Sequence, residues 1–169
     1  MSLQYLPEHA EAAIHALDLA QRESGHLRYS QSTLFAQAID LVWVQTLGDH
    51  PDFAEKVEAF VSRFGRLQDH LGEKLLPCMA ALVGENRKTL LDTLAVAERT
   101  GWLASADAFI AARKLRNALI HEYMHDPQTF LESLMAAQQA CTMFFDIIEN
   151  AKSELDRLGC GQLSVKKQH

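Results

Sequence analysis

The chain has 169 residues, 48% of them hydrophobic and 22% charged, with a formal net charge of -6. That is enough chain for one domain with its own core, and the balance of apolar and charged residues excludes an intrinsically disordered protein. The negative charge excludes attraction of nucleic acid by the mean field, so any RNA or DNA site must be a local basic patch.

Cys78, Cys141 and Cys160 are scattered, and no C-x-x-C pair occurs. Neither a disulfide framework nor a cysteine zinc site is indicated, and reduced cytoplasmic thiols fit best. The N-terminus, MSLQYLPEHAEAA, has no basic or apolar segment of a signal peptide, and no apolar run is long enough to span a membrane. The expected location is cytoplasmic, without a membrane partner. With 4 prolines, 8 glycines and few β-branched residues, the composition predicts helices nearly throughout.

Pro7 suits a first helical position, with Glu8 and Glu11 near the positive end of the dipole. Ala13, Ile14, Leu17 and Ala20 form a helical stripe, and Gly25 is expected to end this helix. Ser30 or Ser32 would cap a second helix, with Phe35, Ile39, Val42 and Trp43 on its apolar side and Gly48 at its end. LVWVQTL could pass for a strand by composition, but it continues the pattern of Leu34, Phe35 and Ala38 and reads as helix.

GDHP, Gly48 to Pro51, is a break. Beyond it Phe53, Val57, Phe60, Phe64, Leu67, Leu71 and Leu75 mark the strongest amphipathic helix of the chain. Gly65 and Gly72 lie seven apart on it, either as two mildly destabilising residues or as sites of close helix approach. Pro77 is expected to kink or interrupt this helix, and Gly84 to close the segment. Leu90, Leu91, Leu94 and Ala97 face inward from a shorter helix stopped by Gly101.

Ser105 is an N-cap for the next helix, with Asp107 in its first turn. Asp126-Pro127 breaks that helix and starts the last, lined by Phe130, Leu134, Ala137, Cys141, Phe144, Phe145, Ile148 and Leu155. The predicted fold is all-α, an up-and-down bundle of about five to six helices. Residues 1–158 would form one domain, and 159–169 a disordered tail.

RKLRNALIHEY, Arg113 to Tyr123, concentrates Arg116, Asn117, His121 and Tyr123 in an otherwise plain helical chain. Arginine holds a fixed positive charge and histidine carries a proton near neutral pH, a pairing suited to phosphoryl transfer. On a helical wheel Arg113, Asn117 and His121 share one stripe, while Arg116 and His121 diverge by roughly 140°. Ala108, Ala112, Leu115 and Leu119 form the core side, and Phe109, Ile110 and Ile120 lie among the polar residues. Such a helix is expected to be covered twice, by its own bundle and by a second subunit, with a polar cleft between them.

Three other readings of the stretch compete. It could be a buried, satisfied polar cluster, or a binding surface without chemistry. It could also be a zinc site, because His121-Glu122-Tyr123-Met124-His125 spells H-E-x-x-H, with Glu122 as general base. Against zinc, Asp126-Pro127 puts His125 at or beyond the helix end, no sheet is indicated, and a third ligand from Glu132 or Glu149 has no spacing signature.

Arg116-Asn117-x-x-x-His121-x-Tyr123 resembles the R-x4-H-x-Y motif of HEPN-domain proteins, specifically the HepT-like toxins. Asn117 matches the polar residue that follows the arginine in that pattern. The context is similar too: an all-helical chain, the motif late in the penultimate long helix, then one final helix. RFGRLQDHLGEKLLP, Arg63 to Pro77, looks like the long second bundle helix of such proteins, and the resemblance extends over residues 30–157.

The resemblance implies a HEPN-like bundle acting as a metal-independent endoribonuclease, a symmetric homodimer with its cleft at the interface. Arg116 and His121 would be the catalytic pair. The RNA 2′-hydroxyl attacks the adjacent phosphate, His121 moves the proton, and Arg116 stabilises the added negative charge. No cofactor is needed, because the nucleophile belongs to the substrate. Asn117 would orient His121 or bind phosphate, and Arg113 and Lys114 would hold the RNA backbone. The resemblance also implies a nucleotidyltransferase antitoxin as partner, with Tyr123 the residue that receives AMP. Related helical domains act instead as non-catalytic substrate-binding or docking subunits of nucleotidyltransferases.

Other residues read blandly. Asp69 and His70 could approach the cleft but better suit a solvated face, and His9, His15, His26 and His50 show no ligand spacing. Trp43 and Trp102 suit core or interface, and Cys78 and Cys141 suit small buried hydrophobes.

Overall fold

The computed structural model describes residues 4–123 and 125–160, and these contain helices and no strand. A 3-10 turn at Pro7–His9 leads into α1, Ala10–Leu34. Helix α2 spans Leu41–Gln45, α3 Pro51–His70, α4 Leu76–Leu82, α5 Leu90–Thr100, α6 Ala106–Glu122 and α7 Pro127–Leu158. A π turn, Leu71–Leu75, joins α3 to α4, so the two form one continuous helix and the described residues hold six. The all-α bundle is the fold class that the composition and periodicity predict. None of the described helices is long and apolar enough to cross a membrane.

Helix α1 runs through Gly25, which does not end it, and neither Ser30 nor Ser32 starts a second helix. The reason is the buried stripe: Ala13, Leu17, Ala20, Ser24, Leu27 and Leu34 continue at helical spacing past the glycine. Gly25 is exposed, with nothing within 4 Å of where its Cβ would stand. A mid-helix glycine costs about 1 kcal/mol, less than the roughly 1.5–3 kcal/mol gained by burying each leucine beyond it. Gly25→Ala is therefore expected to raise the unfolding free energy by about 0.5–1 kcal/mol, measured by urea denaturation. A fall in stability would mean that α1 is not a continuous helix at this point.

The segment expected to hold a long second helix holds only α2 and a 3-10 turn, Leu47–Asp49. LVWVQTL is helical over Leu41–Gln45, as its pattern suggested, but begins at Asp40, whose carboxylate accepts the Trp43 N–H at 2.8 Å.

Before Pro77 the α-helical ladder is interrupted by the π turn, but the helix as a whole does not end there. A proline withdraws one backbone donor and crowds the carbonyl a turn earlier. The wider π turn just upstream takes up that crowding, and the helix continues to Leu82. The other boundaries fall where the sequence signals them. Gly84, Gly101 and Gly159 adopt φ of 79°, 85° and 78°, the left-handed conformation that closes helices. Gly159 and Cys160 belong to the ordered C-cap, and Cys160 is buried, which corrects the expected start of the tail; residues 161–169 lie outside the described residues.

Helix α1 packs along α3, and α6 along α7. One core cluster fills the space between them. At its centre Phe144 of α7 meets Phe64 of α3 at 5.0 Å between ring centroids, and Phe109 of α6 at 6.1 Å. Cys141 and Trp102 are buried in the same cluster, while Trp43 and Cys78 are half-buried against it.

Candidate functional site

Helix α6 begins as predicted: the Ser105 hydroxyl accepts the Ala108 N–H at 3.1 Å. Its buried face is Phe109, Ala112 and Leu119. Ala112 and Leu119 are buried as expected, but Phe109 takes the core place expected of Ala108, which is exposed. Ile110 is half-buried, and Ile120 is 54% exposed.

The two glycines of α3 and the π turn are where α6 comes closest. A Cβ at Gly72 would stand 3.3 Å from the Phe109 ring and 3.3 Å from Leu90. A Cβ at Gly65 would stand 2.8 Å from Nε of Arg116. Close approach is thus what the seven-residue spacing serves.

One turn beyond Gly65, Asp69 completes the arrangement. Arg116 Nη1 donates to Asp69 Oδ1 at 3.2 Å, and Nη2 lies 3.1 Å from Oδ2. This two-point pair fixes the plane of the guanidinium. Both side chains are about one-third exposed, at 34% and 31%, so the pair sits at a rim. Asp69 thus lies at the cleft rim rather than on a fully solvated face, and His70 Nε2 lies 2.7 Å from the Ala16 carbonyl, tying α3 to α1.

Arg116 and Asp69 line a cleft of about 530 Å³ between α3 and α6, with Val57 and Val61 on one wall and Ile120 and Tyr123 on the other. Tyr123 ends α6 and packs edge-on against Phe130, the centroids 5.3 Å apart. Partial burial, then the nearby Glu58 carboxylate, raise the Tyr123 phenol above its ordinary pKa. Its hydroxyl holds its proton more tightly than a free tyrosine does, and a reaction at that oxygen requires a base.

Asn117 and His121 are exposed and do not line this cleft. Asn117 makes no hydrogen bond to His121. Arg113 faces a different cleft, beside Arg87 and Lys88, and Lys114 is exposed on neither. One copy of the chain thus gathers Arg116, Tyr123 and Asp69, and leaves His121 outside. Comparison with protein-family models, with curated proteins and with solved structures gave no match.

The H-E-x-x-H spelling does not survive as a helical pair, because α6 ends at Glu122 and His125 lies past it. Among the described residues no three His, Cys, Asp or Glu side chains stand close enough to hold a metal ion. The sequence reading allowed close approach at Gly65 and Asp69 at the cleft, but did not name either as a partner of Arg116. Their i, i+4 spacing on the most amphipathic helix was the available signal.

Proposed function

We propose that the chain is a HepT-like toxin, a metal-independent endoribonuclease acting in the cytoplasm as a homodimer. The observation that carries the reading is the contrast within one motif. Arg116 is clamped at the mouth of a cleft, while His121 is exposed with no hydrogen bond or ion pair among the described residues. A second copy would bring its own His121 to a shared cleft, and the exposed Ile120 beside it suits such a contact.

In that cleft the 2′-hydroxyl oxygen bonds to the adjacent phosphorus while the bond to the 5′-oxygen breaks. His121 accepts the 2′-proton, the leaving 5′-oxygen takes a proton from water, and Arg116 stabilises the charge on the non-bridging oxygens. Incoming phosphate competes with Asp69 for the same guanidinium fork. Asn117 and Lys114 are exposed on α6 and Arg113 faces the neighbouring cleft, and on this reading a strand crossing α6 would meet them.

Induced expression is expected to arrest growth and cleave RNA. Arg116→Ala and His121→Ala should each lower cleavage by about 10²–10⁴-fold, and chelator should leave it unchanged. Intact RNA and normal growth with the wild-type chain would overturn the nuclease reading. That outcome would favour a docking subunit of a nucleotidyltransferase, a role suited to an Arg116 already neutralised by Asp69. Cleavage that chelator abolishes would instead assign the reaction to a metal.

The same reading makes Tyr123 the acceptor for a nucleotidyltransferase antitoxin. Its oxygen bonds to the α-phosphorus of ATP, pyrophosphate leaves, and the phenolic proton goes to a base of the transferase. The adduct adds bulk and negative charge to the cleft beside Glu58 and blocks RNA. Mass spectrometry after co-expression should find AMP on Tyr123 and none on Tyr123→Phe; an unmodified Tyr123 would remove this part of the proposal.

A further inference from the structure

The cleft between α3 and α6 has two unlike ends. The helices run antiparallel along it, with Gly65 against Arg116 and Glu58 near Tyr123. Glu58, Ser62 and Arg66 follow at four-residue spacing on α3, and all three line the cleft. Glu58 and Arg66 are eight positions apart, about 12 Å along a helix. Arg66 stands at the cationic end. Its Nη2 donates to the Ser62 hydroxyl at 3.5 Å, a weak contact, and it makes no ion pair among the described residues. Arg116, at the same end, is already paired with Asp69. Glu58 makes the other end anionic. It has no hydrogen bond or ion pair among the described residues, and it lies close enough to Tyr123 that burial and then this carboxylate raise the phenol pKa. Between the ends the walls are apolar, with Val57 and Val61 on one side and Tyr123 on the other.

A ligand that satisfies both ends carries an anion for Arg66, donors for Glu58 and a flat apolar body between them. A nucleotide has this order: phosphate, sugar, base. Glu58 decides which base. A carboxylate offers two acceptor oxygens side by side and no donor. Guanine presents two adjacent donors on its Watson–Crick edge, the ring N1–H and the 2-amino group. Adenine and cytosine each present one amino group beside a bare ring nitrogen, which repels the carboxylate. Uracil presents one N–H between two carbonyls. Of the four, guanine alone meets both oxygens, as arginine does in a two-point ion pair.

We propose that this cleft binds a guanine nucleotide, with Glu58 holding the Watson–Crick edge of the base and Arg66 the phosphate. Tyr123 and Val61 cover the base, the usual treatment of an unstacked base. The cleft volume of about 530 Å³ lies in the range typical of small-ligand sites. The inference deepens the nuclease reading and rests on it for RNA as the source of the nucleotide. In that reaction the 2′-hydroxyl attacks the phosphate on its own 3′ side, so cuts would fall on the 3′ side of guanosine. The other source is a free guanine nucleotide.

The test is calorimetric titration of the full chain with guanosine, inosine and adenosine 3′-monophosphates, together with mapping of RNA ends after induced expression. The guanosine compound is expected to bind at least about tenfold more tightly than the adenosine compound. Inosine, which lacks the 2-amino group, should fall between them. Glu58→Gln replaces one acceptor by a donor and should erase the preference. Arg66→Ala should weaken all three by about tenfold and keep the preference. Both substitutions are at exposed positions. Selective binding with cuts on the 3′ side of guanosine would identify RNA as the source. Selective binding with no cleavage would identify a free guanine nucleotide, and would remove the nuclease reading while this inference stands. Equal affinity for the guanosine and adenosine compounds, an unchanged preference in Glu58→Gln, or no heat from guanosine 3′-monophosphate up to about 10 mM would overturn the proposal, even if RNA is cleaved.

Discussion

Phe144→Ala is expected to lower the unfolding free energy by about 3–5 kcal/mol. Phe144 is fully buried and is the ring through which α3, α6 and α7 meet. Its neighbours cannot close the void. Phe64 is already in contact with Phe60 at 6.0 Å, and Phe109 is seated against Gly72. Typical domains are stable by about 5–15 kcal/mol, so the loss is a large share of the total. The next residue is the control. Phe145 is half-buried and carries Arg28 over its ring at 3.8 Å, a rim contact. Phe145→Ala should cost about 1–2 kcal/mol. Urea denaturation of both variants checks the register of α7, since equal losses would mean that the helix is rotated from the position described.

The contrast between Gly25 and the three closing glycines explains what the sequence could and could not reveal about boundaries. Gly84, Gly101 and Gly159 stop helices because each takes a left-handed φ at the helix end. After Gly25 the apolar pattern resumes, at Leu27 and Leu34, and the long contact of α1 with α3 holds the helix through the glycine. A stop signal is local, whereas the packing that overrides it is not. Pro77 shows the same limit. Its missing donor is plain in the sequence, but whether the chain kinks or widens into a π turn depends on neighbours on both sides. The caps at Ser105 and Asp126 were legible because capping is a matter of three or four consecutive residues.

The site was legible in half. The wheel separated Arg116 from His121, and the structure keeps them apart within one copy. Asp69, 47 residues upstream, was not visible as the partner of Arg116, because helix periodicity says which way a side chain leaves its own helix and nothing about what stands opposite.

Gly65→Ala is expected to disable the site while leaving the fold intact. The added methyl would stand 2.8 Å from Nε of Arg116, closer than such atoms sit, and a tight 3.3 Å and 3.4 Å from its Cγ and Cδ. All three atoms belong to one flexible, partly exposed side chain, so the arginine yields rather than the helix. The gain of an alanine in mid-helix, about 1 kcal/mol, offsets the loss of a rim ion pair worth about 0–1 kcal/mol. Stability should therefore stay within about 1 kcal/mol of wild type. On the nuclease reading, cleavage should fall nearly to the level of Arg116→Ala, because the guanidinium leaves its seat against Asp69. Gly72→Ala has the opposite expectation. Its neighbours are the Phe109 ring and Leu90, both at 3.3 Å and held by the core, so the methyl should cost about 1–3 kcal/mol. It does not touch Arg116, and folded Gly72→Ala should cleave as wild type does. Urea denaturation and RNA cleavage on the two variants separate the roles. Full activity in Gly65→Ala would show that the reaction does not need Arg116 where Asp69 holds it.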